Sequence, residues 1–273
     1  MYSNAFGISS ILVYVIATGL ILYSVFNARA DAARNTRNPI AFLWLAGIAG
    51  TLHAGSLIED FWNPQGMNFG FMSAVSLAIL LVVAILLVSA LTKPVEKLGI
   101  VVFPIAALIQ ALKLLLPEQT HLIQEISSGM EVHILSSMLS YSILNIAAIQ
   151  ALFLALQDRQ LHRHDSNVLI LSLPPMQTME SLLFQLIGTG LVLLTISLAS
   201  GFLFLEDMFV QHLAHKTILS ILAWILFSVL LVGRLAFGWR GQTAARWTVG
   251  GFVSLMLAYF GSKMVLELIL QRT

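Results

Sequence analysis

Eight apolar stretches, each long enough to cross a lipid bilayer as a helix, dominate the sequence. They lie at about 7–27, 39–58, 70–91, 98–116, 132–156, 180–205, 215–236 and 248–269. A hydrocarbon core about 30 Å thick requires about 20 apolar residues in a helix. Alternating segments of about ten residues, which form outer-membrane barrels, are absent. The sequence therefore predicts an all-α, polytopic membrane helical bundle of about eight transmembrane helices, which we expect to form a single domain over residues 1–273.

The composition excludes several classes of protein. Hydrophobic residues make up 58% of the chain and charged residues 10%, whereas soluble domains carry about 25% charged residues. A net charge of +1 argues against a nucleic-acid partner. Because the chain has no cysteine, it has no disulfide, zinc–thiolate or iron–sulfur site. Nucleotide-binding, zinc-protease and serine-hydrolase motifs are also absent, so nothing in the sequence predicts an enzyme.

Charge is sorted along the chain in a way that predicts orientation. Ten of the 14 basic residues lie in, or at the border of, the connections that follow odd-numbered spans: Arg29, Arg34, Arg37, Lys93, Lys97, Arg159, Arg163, Arg234, Arg240 and Arg246. The other connections carry Glu59, Asp60, Glu118, Glu125, Glu131, Glu206 and Asp207. Basic residues collect on the cytoplasmic side, so both termini are predicted to lie outside. Residues 1–6 have no positive charge, so the first span is expected to be a retained helix rather than a signal peptide.

Histidines collect at the predicted outer face. His53, His133 and His215 lie at or inside the membrane boundary there. Neutral imidazole is a common metal ligand and an axial ligand of haem iron. Lys216 and Lys263 would supply positive charge for haem propionates. The alternative is that each histidine only caps a helix or bonds a neighbouring carbonyl group, and both interpretations stay open.

The fifth span carries a polar stripe. His133, Ser137, Ser140, Tyr141 and Asn145 fall at offsets 0, 4, 7, 8 and 12, which places them on one helix face. In lipid this face must turn into the bundle. The stripe either orients His133 and lines a pocket, or makes hydrogen bonds between helices.

The second span carries small residues at four-residue spacing. Ala46, Gly50 and Ala54 predict a groove for close helix approach. His53 lies beside this groove, so we expect it to face another helix rather than lipid.

Two segments identify a family resemblance. Residues 173–184 read Leu-Pro-Pro-Met-Gln-Thr-Met-Glu-Ser-Leu-Leu-Phe, and residues 238–241 read Gly-Trp-Arg-Gly. Shorter matching segments are 187–188, 194–195, 200–201, 215–217 with Trp224, 244–247, 251–252 and 258–263. Together, over nearly the whole chain, they resemble the CcsA/HemX-like cytochrome c assembly proteins, and within that family the YpjD inner-membrane branch. The resemblance implies a multi-pass protein of the cell inner (plasma) membrane.

The resemblance also implies haem as the ligand, presented at the outer face for attachment to apocytochrome c. His133, at the start of a span, matches the family's outer histidine, and His53, in Leu52-His53-Ala54, resembles its intramembrane histidine. Both are expected haem-iron ligands, with His215 as a candidate replacement. Lys216, Lys263 and Tyr141 complete the expected cofactor-binding residues.

Two features depart from the family pattern. The tryptophan-rich segment is expected between Gly201 and Trp224, but no tryptophan precedes Trp224 there. A second outer histidine is expected after the last span, whereas residues 270–273 read Leu-Gln-Arg-Thr. A haem-handling protein without the tryptophan-rich platform is therefore the first hypothesis. The alternatives are a non-enzymatic membrane scaffold, which regulates tetrapyrrole synthesis or a partner membrane protein, and a small-molecule or ion transporter. The lack of acidic residues at span centres disfavours the transporter.

Overall fold

The computed structural model describes residues 2–26, 41–61, 67–68, 71–116, 122–123, 128–163, 173–204 and 214–258. Within these ranges the chain forms eight α-helices: α1 Tyr2–Phe26, α2 Ala41–Phe61, α3 Phe71–Ala90, α4 Gly99–Leu115, α5 Ser128–Arg163, α6 Met176–Phe204, α7 Ala214–Phe237 and α8 Gly241–Met256. A 3₁₀-helix, Glu96–Leu98, leads into α4. The two-residue strands β1 Met67–Asn68 and β2 Leu122–Ile123 pair antiparallel. The predicted all-helical architecture is confirmed.

Six of these helices, α1 and α3–α7, are long and apolar enough to cross a membrane. Helix α2 carries a shorter apolar segment, Phe42–Ile58. The predicted last span, 248–269, continues beyond the described part of the chain. The number of crossings and the side on which the termini lie therefore stay predictions.

Several helices begin before or end after the spans that the apolar pattern predicts. Helix α5 continues to Arg163 instead of ending near 156, and α8 begins at Gly241 instead of 248. The difference arises because hydropathy predicts the part of a helix that lies in lipid, whereas polar residues extend the same helix beyond it. Helix α6 begins directly after Pro174-Pro175, as expected from the effect of proline on helices.

The first compact unit contains residues 1–125 and 165–174. In it, α1 packs mainly on α2 and α4, and α3 packs on the same two helices. Tyr14, Ile21, Leu86 and Phe103 are fully buried between them. The rings of Tyr14 and Phe103 stack with centroids 6.0 Å apart.

The second compact unit contains residues 126–164 and 175–273. Here α5 packs mainly on α6 and α8, and α7 packs on the same two helices. Helices α5 and α6 approach closely at Gly190, where an added Cβ atom would lie 2.6 Å from the Leu144 side chain. The sequence-based expectation of one domain over the whole chain stays a prediction.

A tight turn joins α7 to α8. Gly238 has a φ of +66°, and its N–H donates to the carbonyl oxygen of Arg234 at 3.2 Å, as in helix ends closed by a left-handed glycine. The Arg234 guanidinium group donates to the Trp239 carbonyl oxygen at 3.2 Å and lies 4.8 Å from the centre of the Phe184 ring. The Gly-Trp-Arg-Gly segment is therefore held against α6.

Candidate functional site

A buried polar cluster occupies the interior of the first unit. Each of its four helices contributes: Tyr14 from α1, His53 and Ser56 from α2, Ser76 from α3 and Gln110 from α4. Their exposed fractions are all 2% or less. We call these five residues the His53 network. The expectation that His53 faces other helices rather than lipid is confirmed.

The direction of each hydrogen bond in the His53 network follows from its donors. The Ser76 hydroxyl donates to Oε1 of Gln110 at 3.0 Å, so its oxygen accepts from Nε2 of His53 at 2.8 Å. Since Nε2 carries the ring proton of a neutral imidazole, Nδ1 is the acceptor for the Tyr14 hydroxyl at 3.4 Å. Both ring nitrogens are therefore engaged.

The His53 network also closes on itself. Nε2 of Gln110 donates to Oγ of Ser56 at 2.5 Å, and the Ser56 hydroxyl donates to the carbonyl oxygen of His53 at 2.7 Å. One turn further along α2 and α4, Lys113 forms an ion pair with Asp60. Buried polar groups of this kind are stable when every member has a partner. The network meets that condition without any ligand.

The structure confirms the predicted small-residue groove on α2 at Ala46 and Gly50 but not at Ala54. Ala46 is fully buried, and Gly50 lies against α1 and α3, where an added Cβ atom would be 4.0 Å from the Tyr14 hydroxyl and 3.9 Å from Val83. Ala54 is exposed. The buried face rotates to His53 because α2 turns by 3.6 residues, so a four-residue spacing drifts off the packed face.

In the second unit, His133 lies near the start of α5 and is half-buried. Its Nδ1 atom lies 2.8 Å from the carbonyl oxygen of Ser197 on α6. A carbonyl oxygen only accepts, so Nδ1 carries the ring proton in this contact and Nε2 keeps a lone pair. Among the described residues, Nε2 has no hydrogen-bond partner. This is the protonation pattern of a histidine that ligates iron through Nε2.

The polar stripe on α5 does turn into the unit. Oγ of Ser137 lies 2.6 Å from Oγ of Ser197, and the Ser140 hydroxyl donates to the carbonyl oxygen of Gly190 at 2.9 Å. Tyr141 is 5% exposed, and its hydroxyl donates to the sulfur atom of Met256 on α8. The stripe therefore makes hydrogen bonds between helices, and Ser137 also bonds the backbone carbonyl oxygen of His133.

The remaining predicted site residues are described in part. His215 is the second residue of α7, and its side chain is not among those that the structure describes. Lys216, the next residue, is half-buried, and Lys263 lies beyond the described ranges. Within those ranges no group of three or more His, Asp or Glu side chains is placed to hold a metal ion. In the same part of the chain, the hydrogen bonds of His133 and His53 involve neither lysine.

Sequence reasoning missed an acidic residue, Glu180. It is 7% exposed, and its Oε1 atom accepts the N–H of Gly241, the first residue of α8, at 2.8 Å. An anionic acceptor at a helix N-terminus is favourable. The contact joins the two segments 173–184 and 238–241. Both motifs are visible in the sequence, but nothing in their spacing shows that they contact each other.

These features define an integral membrane protein built from apolar helices, which are joined by hydrogen bonds between buried side chains and across helix pairs. Residues 39–270 match the model of the family described as cytochrome C assembly protein. The chain therefore belongs to the cytochrome c assembly protein family.

Relatives from bacteria agree with this assignment. The inner membrane protein YpjD of Escherichia coli strain K12 is 36% identical over 209 residues, which is 76% of this chain and 78% of that protein. A protein of Azospirillum brasilense, named as the 28.8 kDa protein in the nifR3-like 5′ region, is 27% identical over 92% of this chain and 94% of its own length. The cytochrome c biogenesis protein CcsA of Gloeobacter violaceus is 29% identical over 31% of this chain and 26% of its length. No solved structure matches the chain. The protein is thus a multi-pass protein of the inner membrane, as the sequence predicted.

Proposed function

We propose that the protein binds haem through Nε2 of His133 and handles it for cytochrome c assembly. The observation that carries the proposal is the bond from Nδ1 of His133 to the Ser197 carbonyl oxygen at 2.8 Å. This bond leaves the Nε2 lone pair available, and the residue is only half-buried. Family membership supports haem as the ligand, since the name of a relative, CcsA, refers to cytochrome c biogenesis.

The two histidines differ in how well they fit an iron ligand. Among the described residues, no hydrogen bond of His133 has to break for Nε2 to bind iron. His53 has both nitrogens engaged and an exposed fraction of 0%, so iron would have to displace Tyr14 or Ser76. The proposal therefore assigns coordination to His133 and leaves His53 in its hydrogen-bond network.

The chemistry of the bound group would be that of haem iron held by imidazole, and this chain would provide orientation and an apolar surrounding. His215, Lys216, Lys263 and Tyr141 stay predictions as second ligand or propionate partners. Tyr141 already donates its hydroxyl proton to Met256. We therefore assign it only a packing role in the unit that contains His133.

The test is a visible spectrum of the detergent-purified protein, recorded before and after titration with haem. We expect a Soret band that His133→Ala abolishes or shifts. His53→Ala should leave it in place in the fraction that remains folded, and His162→Ala serves as a matched control, since that histidine lies at the opposite end of α5 from His133. A flat Soret region in the wild-type protein, or a band unchanged by His133→Ala, would falsify the proposal.

A second candidate function is a non-enzymatic membrane scaffold or regulator, and one observation favours it. The His53 network is complete without a ligand, so the histidine that resembles the family's intramembrane histidine already has a structural role. The missing tryptophan-rich segment points the same way. Co-purification of a stoichiometric membrane protein without haem would favour the scaffold over the haem-handling function.

A further inference from the structure

Three hydrogen bonds join His133 to two serines in a closed ring. The Nδ1–H of His133 donates to the Ser197 carbonyl oxygen at 2.8 Å. Oγ of Ser197 lies 2.6 Å from Oγ of Ser137, and the Ser137 hydroxyl donates to the carbonyl oxygen of His133 at 2.5 Å. The ring therefore begins at the side chain of His133 and ends at its own backbone.

The donor and acceptor of each of these three hydrogen bonds can be assigned without ambiguity. Ser137 has one hydroxyl proton, which it gives to the His133 carbonyl oxygen, so in the contact between the two serines Ser197 is the donor. The Ser197 carbonyl oxygen also accepts from Ser200 at 3.0 Å. Ser197 is 4% exposed, so water has little access to compete for its bonds.

We infer that Ser137 and Ser197 are positioning residues, which fix the tautomer and ring orientation of His133 so that Nε2 is presented for coordination. We call this pair the serine clamp. That the coordinated atom is haem iron rests on the proposed function. Partners of this kind, which hold the other nitrogen of a ligating histidine, orient the ring and raise its basicity, and their loss weakens metal binding by about 10–100-fold.

The clamp is more than ordinary helix packing because its geometry is specific to one register of α5 and α6. His133 and Ser137 are one turn apart on α5, and both reach the same residue of α6. Two turns of α5 beyond His133, Ser140 also bonds α6, through the Gly190 carbonyl oxygen at 2.9 Å, but it does not touch His133. Ser140 is therefore a control for loosening the same helix pair without breaking the clamp.

The experiment compares Ser137→Ala and Ser197→Ala with Ser140→Ala in the full-length protein in detergent. The first measurement is ¹⁵N NMR of histidine-labelled protein, with the His133 signals assigned from a His133→Gln variant. In the wild-type protein we expect a single tautomer protonated at Nδ1. Both clamp variants should show a second tautomer, and Ser140→Ala should not.

The second measurement is haem titration followed by absorbance. We expect the dissociation constant to rise by about 10-fold in the clamp variants and to stay unchanged in Ser140→Ala. Ser137→Thr, which keeps the hydroxyl, should restore both the tautomer and the affinity. Similar thermal unfolding of all the alanine variants would show that the difference does not come from loss of the fold.

The outcomes separate the clamp from the proposed function. Clamp variants that keep one tautomer and the affinity of Ser140→Ala overturn the inference. If the wild-type protein takes up no haem, the proposed function fails, and the tautomer measurement alone then supports or overturns the clamp.

Discussion

Replacing His53 with leucine removes the centre of the His53 network while filling most of the space. The substitution breaks the 2.8 Å bond to Ser76 and the 3.4 Å contact with the Tyr14 hydroxyl. Ser76 keeps its bond to Gln110, so it loses only an incoming donor. Tyr14 is 0% exposed, and its hydroxyl has no other hydrogen-bond partner within the described part of the chain, so it is left as a buried unpaired donor.

The two losses differ in size. A hydrogen bond between membrane helices contributes about 0.6 kcal/mol on average and at most about 1.7, which applies to the bond with Ser76. An orphaned buried donor costs about 1–3 kcal/mol, which applies to Tyr14. The orphaned hydroxyl therefore accounts for more of the destabilisation than the broken bond. We expect His53→Leu to lower the free energy of unfolding by about 2 kcal/mol, or roughly 30-fold in the unfolding equilibrium.

The assay is reversible unfolding in mixed detergent micelles, followed by circular dichroism. The decisive comparison is the double variant His53→Leu/Tyr14→Phe, which removes the orphaned hydroxyl along with its partner. Because replacing both members of a polar pair is nearly neutral, we expect the double variant to regain about 1 kcal/mol relative to His53→Leu. Purely additive losses, or a double variant less stable than His53→Leu, would refute the hydrogen-bond assignment.

Three further predictions concern packing, capping and orientation. Gly190→Ala places a methyl group against Leu144 and should lower the free energy of unfolding by about 1–3 kcal/mol. The control Gly188→Ala has open space around its Cβ position and should not destabilise the protein. Equal thermal midpoints of the two variants would contradict the described approach of α5 and α6. Glu180→Ala should cost about 1 kcal/mol by leaving the first N–H of α8 without its acceptor, and Glu180→Gln, which keeps an acceptor oxygen, should recover much of this loss in the same thermal melt. A reporter fused after Thr273 should be active only outside the cytoplasm, and activity of a cytoplasmic reporter there would overturn the predicted orientation.

The sequence predicts the helices well because lipid imposes a strict rule on them. Every backbone polar group in the bilayer needs an internal partner, so an apolar stretch of about 20 residues is a helix whatever it packs against. The same reasoning explains why α5 continues past the predicted span end near 156 and why α8 begins before 248. Asp158 and Arg246 lie where the lipid constraint no longer applies, and there the helix continues through local propensity that a hydropathy pattern does not register.

The candidate site is predicted less completely, because polar partners are set by helices distant in sequence. Ser76 and Gln110 lie in apolar spans 23 and 57 positions after His53, and nothing in their local sequence shows that they belong to its hydrogen-bond network. Three histidines at one predicted face suggested a shared metal site, but in the described ranges His53 and His133 have different hydrogen-bond partners and share none.

The difference between the two histidines follows from what the facing helices offer to the imidazole ring. Three helices besides its own bring a hydroxyl or an amide toward His53, so the interior satisfies both nitrogens and a ligand would have to compete with two existing bonds. At His133 the facing helix offers a backbone carbonyl group, which takes one nitrogen and has no proton to give to the other. A carbonyl partner therefore fixes the orientation of a histidine ring and leaves the lone pair of the other nitrogen available, whereas hydroxyl partners can complete its hydrogen bonding. For this reason, substitution of His133 should change haem binding and substitution of His53 should change the free energy of unfolding. Hydropathy alone does not distinguish the two residues.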